Sequence, residues 1–132
     1  MAADERTAVA FALSPGQAGD APCGRELLRQ VGAAPRPGKT PLVMDTAYEG
    51  DEIRQLAGDL GYIPVVPPNP RRRQPWTYDR ELYKLRNVVE RLFRRLKGYR
   101  RVFTRYDKLD VMYLGMVTFA LVVEALRSVN TP

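Results

Sequence analysis

Glu90 is a lone carboxylate in a field of bases. At about 100° per residue, Tyr83, Arg86, Asn87, Glu90, Arg94 and Lys97 share one side of a helix expected from about Asp79 to Gly98. Leu82, Leu85, Val88, Val89, Leu92, Phe93 and Leu96 share the other side. Such a polar face has two readings. On an ordinary surface helix, Arg86–Glu90 and Glu90–Arg94 are i,i+4 pairs that stabilise only weakly. In a site, Glu90 supplies a hard oxygen ligand to a divalent metal while the bases hold phosphates beside it. The periodicity does not choose between them. Asp45 poses the same question, because it ends the short apolar run Pro41-Leu42-Val43-Met44 just before a loop into a helix. That is where α/β folds present functional groups, and it is equally a place for a turn-forming Asp.

Composition narrows the chemistry. The chain has no histidine, which excludes imidazole bases, Ser–His triads and His-based metal sites, so any metal site must be built from oxygen. Cys23 is the only cysteine; no intrachain disulfide can form, and a reducing cytosol fits. The net charge of +6 is unevenly placed. Residues 71–108 hold 14 of the 21 Lys and Arg but 4 of the 15 acids, a local +10, leaving 7 bases against 11 acids elsewhere. Concentrated positive charge of this kind is a nucleic-acid footprint.

The elements that must position these groups follow in order. Met1 to Arg6 is short and polar, without the apolar core of a signal peptide. Thr7–Leu13 reads as a buried strand ended by Ser14-Pro15-Gly16, and Asp20 as the cap of a helix to about Gly32. Ala33–Lys39 is a loop, Leu42–Asp45 a strand, Asp51–Leu60 a helix stopped by Gly61, and Ile63–Val66 a further strand. Alternation of strand and helix argues for parallel pairing. Residues 67–77 form a basic, Pro-rich loop, in which Arg71, Arg72, Arg73 and Trp76 either solubilise the surface or contact phosphate and base. Leu109–Arg127 is a helix with 13 uncharged residues from Val111 to Val123. Against the ~20 residues a bilayer requires, that stretch reads as a core helix, with no membrane partner. At 132 residues the chain makes at most one domain.

Tyr83, Arg86, Glu90 and Lys97 spell Y-x2-R-x3-E-x6-K, which resembles the last catalytic motif of the DDE transposases of bacterial insertion sequences. The flanking block YDRELYKLRNVVERLFRRLKGYRRVFTRYDK resembles the insertion-sequence-five type, as do LSPGQAGDA, VMDTAYEGDEIR and IPVVPP, in family order from about Ala8 to Val123. The resemblance implies an α/β, ribonuclease-H-like fold with a short, mostly parallel sheet and packed helices. It implies phosphodiester cleavage and strand transfer on DNA at Mg²⁺ or Mn²⁺ held by carboxylates, with Asp45 matching the second and Glu90 the third. It assigns Tyr83, Arg86 and Lys97 to supporting the site and holding DNA ends, and favours DNA contact by the Arg71–Arg73 run; Arg94, on the same helix face, is a further DNA-contact candidate, and a cytoplasmic protein is expected. The family's first Asp has no counterpart here; Asp4 and Glu5 are acidic but sit at the wrong end of the wrong strand. The chain is therefore expected to be the C-terminal portion of such a catalytic domain, 1–132, lacking its first two strands and completed by an upstream segment or a second copy. The alternative is a non-catalytic basic DNA-binding remnant or domesticated module.

Overall fold

The computed structural model describes residues 1–14, 20–104 and 108–130, without the side chains of Asp20 and Ala21. Pro15, Gly16 and the capping group of Asp20 thus lie outside the described residues, as does most of the LSPGQAGDA block. The chain divides into two compact units, Ser14–Arg86 and Met1–Leu13 with Asn87–Pro132.

The unit Ser14–Arg86 is a mixed α/β structure. Helix α1 (Asp20–Val31) precedes strand β1 (Thr40–Val43), a 3-10 turn (Thr46–Tyr48), helix α2 (Asp51–Asp59) and strand β2 (Tyr62–Val65). The strands pair in parallel, Thr40 opposite Tyr62 and Val43 opposite Val65, with α2 in the crossover that parallel pairing demands. Met44 N extends the ladder to Val65 O at 3.0 Å. Pro41 and Pro64 sit inside the strands, which is permissible because each strand of a two-stranded sheet is an edge. Leu28, Met44, Ile53, Ala57, Tyr62, Val65 and Val66 form the buried core. Gly61 ends α2 with φ +84°, a left-handed conformation that an L side chain resists. The chain then continues through Pro67–Trp76 without a helix, to α3 (Arg80–Tyr83) and a second 3-10 turn (Lys84–Arg86).

The unit built from the two ends is helical. Helices α4 (Asn87–Lys97), α5 (Arg100–Thr104) and α6 (Asp110–Val129) pack through Leu92, Leu96, Val117, Ala120 and Leu121, with Ala2, Ala8, Phe11, Tyr99, Val102 and Tyr113 at the margin. Glu124, 3% exposed, accepts from Tyr99 Oη and Arg127 Nη1, both at 2.9 Å.

Three expectations are corrected. Thr7–Leu13 is not a strand of the sheet; only Ala8 pairs, in an antiparallel bridge with Ala2. Asp4 Oδ1 accepts from Arg6 N (2.7 Å) and Thr7 N (2.8 Å), which folds the chain back on its own first residues, so its backbone bonds are satisfied locally. Nor is Asp79–Gly98 one helix: it breaks into α3, a 3-10 turn and α4, and Leu85, Val89 and Phe93 of the expected apolar arc are exposed. A broad arc needs a broad surface to cover it, and among the described residues α4 buries only Leu92 and Leu96 of that arc. Finally, α6 is a core helix on one face only. It runs 20 residues and is, by length and composition, apolar enough to cross a membrane, because Ala125, Leu126 and Val129 carry its apolar character past the uncharged stretch despite Glu124 and Arg127.

Candidate functional site

Asp45 lies two residues beyond β1 and caps the 3-10 turn Thr46–Tyr48. Its Oδ1 accepts from Thr46 Oγ1 at 3.0 Å and Ala47 N at 3.3 Å. Its Oδ2 accepts from the Arg86 guanidinium, which arrives from the 3-10 turn after α3. The two side chains keep 43% and 40% of their surface exposed, so the pair is open to an incoming ligand. Partial burial pushes the Asp45 carboxyl up, but the bonds from Thr46, Ala47 and Arg86 together outweigh it and hold the group below the usual carboxylate range. It is an ionised, oriented oxygen donor.

The elements around this pair are themselves fixed. A Cβ on Gly24 of α1 would run into the Tyr48 ring, so glycine there lets the 3-10 turn seat against α1. Asp79 caps α3 by accepting from Glu81 N (2.9 Å) and Leu82 N (3.0 Å). Tyr83 presents its ring 6.0 Å from the Arg86 guanidinium carbon and meets Tyr78 edge-on at 5.7 Å. The 3-10 tightening at Lys84–Arg86 falls where Arg86 reaches Asp45, a tertiary bond overriding a helical register.

Among the described residues no group of three or more Asp, Glu, Cys or His side chains is placed to hold a metal ion. Asp45 is a fitting single ligand, but the residues present do not by themselves build a complete divalent-metal site. The transposase DDE domain matches residues 1–123. This chain belongs to the DDE transposase family. It is 33% identical over 115 residues to the "Putative transposase for insertion sequence element IS6501" of Brucella ovis, a match covering 86% of this chain and 85% of that protein. No solved structure matches.

Of the residues singled out in this DDE transposase sequence, the structure thus brings Asp45, Arg86 and Tyr83 together. Glu90, Arg94 and Lys97 lie exposed along α4, which belongs to the helical unit. The three arginines of the Pro-rich loop differ from one another. Arg72 Nε donates to Glu49 Oε2 at 2.9 Å and its Nη1 lies 2.9 Å from Asp51 Oδ1, contacts that push its pKa up. Arg71 and Arg73 are exposed. Trp76 donates its indole N–H to Val66 O at 2.8 Å, with Arg54 stacked 3.4 Å from the ring centroid and Arg72 at 4.9 Å. The indole is therefore engaged within its own unit. Sequence reasoning missed Thr46, Glu49 and Gly24. The Asp-Thr dipeptide carried a signal for the first, a carboxylate ready to accept from the backbone two residues on; the other two act across the tertiary structure.

Proposed function

We propose that this chain carries out DNA transposition as part of a transposase, cutting phosphodiester bonds at element ends and joining them to a target. The observation that carries this reading is the Asp45–Arg86 pair. It joins the position matching the family's second carboxylate to the arginine of Y-x2-R-x3-E-x6-K, within one compact unit. In this reading Asp45 and Glu90 are the catalytic and metal-facing carboxylates, each by its motif position, within a ribonuclease-H-like domain.

When bound, Mg²⁺ or Mn²⁺ supplies the activation of a water or a DNA 3′-hydroxyl. The chain's own residues do the positioning. Thr46 and Ala47 hold Asp45 ionised and aimed. Arg86 exchanges one anionic partner for another when a phosphate arrives, its planar fork suiting phosphate oxygens as it suits carboxylate. Tyr83 packs beside the strand terminus, and Arg71, Arg73, Arg94 and Lys97 neutralise backbone charge. A further carboxylate, from an upstream transposase segment or a second copy, completes the metal site. The lack of any three-ligand group among the described residues favours one rival: a DNA-binding module that does not cut.

A cleavage assay on a plasmid carrying the element's ends separates them. The 132-residue chain alone is expected to be inactive with either metal, and active once the upstream segment is supplied in trans or fused. In the active form Asp45→Asn and Glu90→Gln abolish cleavage and leave DNA retention within about twofold, because each removes a metal-facing charge and no phosphate-facing one. Failure to gain activity with the upstream segment would leave the non-catalytic module.

A further inference from the structure

The turn that Asp45 caps has a second attachment at its other end. Glu49 follows the 3-10 turn directly and closes it, its N–H donating to Thr46 O at 3.2 Å. The Glu49 Oε2 accepts from Arg72 Nε at 2.9 Å and from Asn69 N at 3.4 Å, and the Glu49 carbonyl accepts from Arg72 Nη2 at 3.4 Å. The remaining arm of the guanidinium, Nη1, lies 2.9 Å from Asp51 Oδ1. The Arg72 fork is thus engaged by two acids at the start of α2. The Pro-rich loop is also closed on itself. Trp76 near its end donates to the Val66 carbonyl at its start, at 2.8 Å. Between them an Asx turn forms, Arg71 N donating to Asn69 Oδ1 at 2.9 Å and Arg72 N to Asn69 O at 3.0 Å. A loop whose ends meet and whose middle is pinned is a preformed surface. Arg71 and Arg73, on either side of Arg72 in sequence, remain exposed on it.

We propose that Glu49 is a positioning residue: through Arg72 it fixes the Pro-rich loop to the turn that Asp45 caps, so that Arg71 and Arg73 meet the DNA backbone at a set place relative to Asp45. This rests on the reading of the chain as DNA-binding, and adds to it the group that holds the contact in register. The gain is entropic. A free loop carrying the same arginines has to be ordered when DNA arrives, whereas a pinned loop is ordered already by folding. Trp76 belongs to the same arrangement. Its N–H is taken by Val66 O, and its ring lies 3.4 Å from the Arg54 guanidinium carbon and 4.9 Å from that of Arg72. The ring is therefore the loop's anchor and not a platform for a base. All of these groups lie within the one unit, Ser14–Arg86.

Removing a carboxylate ordinarily strengthens a protein's attraction for DNA. Glu49→Gln is expected instead to weaken binding of short duplex DNA about threefold to tenfold, read by fluorescence anisotropy on the full chain, with the far-UV circular dichroism unchanged. Glu52→Gln is the control: it makes the same charge change at a carboxylate paired with Arg25 of α1, and should leave binding unchanged or tighter. Because Glu49 acts through Arg71 and Arg73, its substitution should have no further effect in an Arg71→Ala, Arg73→Ala background. Trp76 is the chain's only tryptophan, so docking of the loop can be read without DNA. Acrylamide quenching of its emission should rise in Glu49→Gln, and also in Arg72→Lys, which keeps the charge and loses the fork. Tighter DNA binding by Glu49→Gln, an equal loss in both backgrounds, or unchanged quenching overturns the proposal. So does loss of most of the Trp76 emission when DNA is added to the wild type, which would put a base on the ring. A chain that binds no duplex DNA overturns the DNA-binding reading itself, and with it the role given to Glu49, even where quenching shows Trp76 shielded.

Discussion

Arg86 donates to Asp45 across 41 residues of sequence, and through that bond the end of a β-strand and the end of a broken helix hold one another. Both side chains are more than a third exposed, so the pair contributes only about 0.2–1 kcal/mol to stability. Its pH signature is specific. The folded-state pKa of Asp45 is depressed, so its contribution is present above the unfolded value of about 4 and is lost as pH falls through the folded one. The stability difference between wild type and Asp45→Asn, measured by urea denaturation, is expected to be constant from neutral pH down to about 5 and to shrink as pH falls below the unfolded value of about 4. A difference that does not change at all below about pH 4 would place the effect in something other than the carboxylate's charge.

DNA contact by the Pro-rich loop should fall on Arg71 and Arg73, since Arg72 is held by Glu49 and Asp51. Changing Arg71 and Arg73 together to Ala is expected to flatten the plot of log K against log salt by about 2, near 0.9 per phosphate contact. Arg72→Ala should instead lower the thermal midpoint and leave the slope nearly unchanged. Fluorescence anisotropy on duplex DNA across a salt series reads both.

Two glycines have different reasons to be glycine. Gly61→Ala forces an L side chain into φ +84° and brings its Cβ to 2.9 Å from Pro37 Cβ, a cost of about 1–3 kcal/mol. Gly24→Ala meets the Tyr48 ring; overpacking of that kind costs about 1–3 kcal/mol and pushes against the turn that Asp45 caps. Equal stability losses are compatible with a different outcome at the site: in the completed transposase Gly24→Ala should reduce cleavage several-fold beyond Gly61→Ala.

The Tyr99–Glu124 hydrogen bond secures the helical unit. Tyr99→Phe removes it at a cost of about 1–2 kcal/mol, read from denaturant midpoints at pH 7. Burial first, and then the Glu124 carboxylate, raise the Tyr99 pKa. A raised folded pKa gives stability that is complete below the unfolded value of about 10 and is lost as pH rises through the folded one. Wild type should therefore lose its advantage over Tyr99→Phe above about pH 10.

By itself the sequence determined the parallel β–helix–β passage, since strand patterning, the helix from Asp51 and the stop at Gly61 are local signals read within a few residues of where they act. It also determined the family, through ordered motifs that need no geometry. It misjudged Thr7–Leu13, where an apolar run was read as a strand although Asp4 and the first three residues offered its backbone nearer partners. It misjudged the helix through Tyr83 and Glu90 for the converse reason: the period of apolar residues continues across Arg86, while the tertiary bond to Asp45 interrupts it. Only the tertiary structure decided that Arg72 is a structural arginine and its neighbours are not, because ion pairs to Glu49 and Asp51 depend on a loop folding back over 21 to 23 residues. Only it decided which apolar face α6 buries within its own unit, since a helix that is apolar nearly all round does not say in its sequence which side its neighbours will cover.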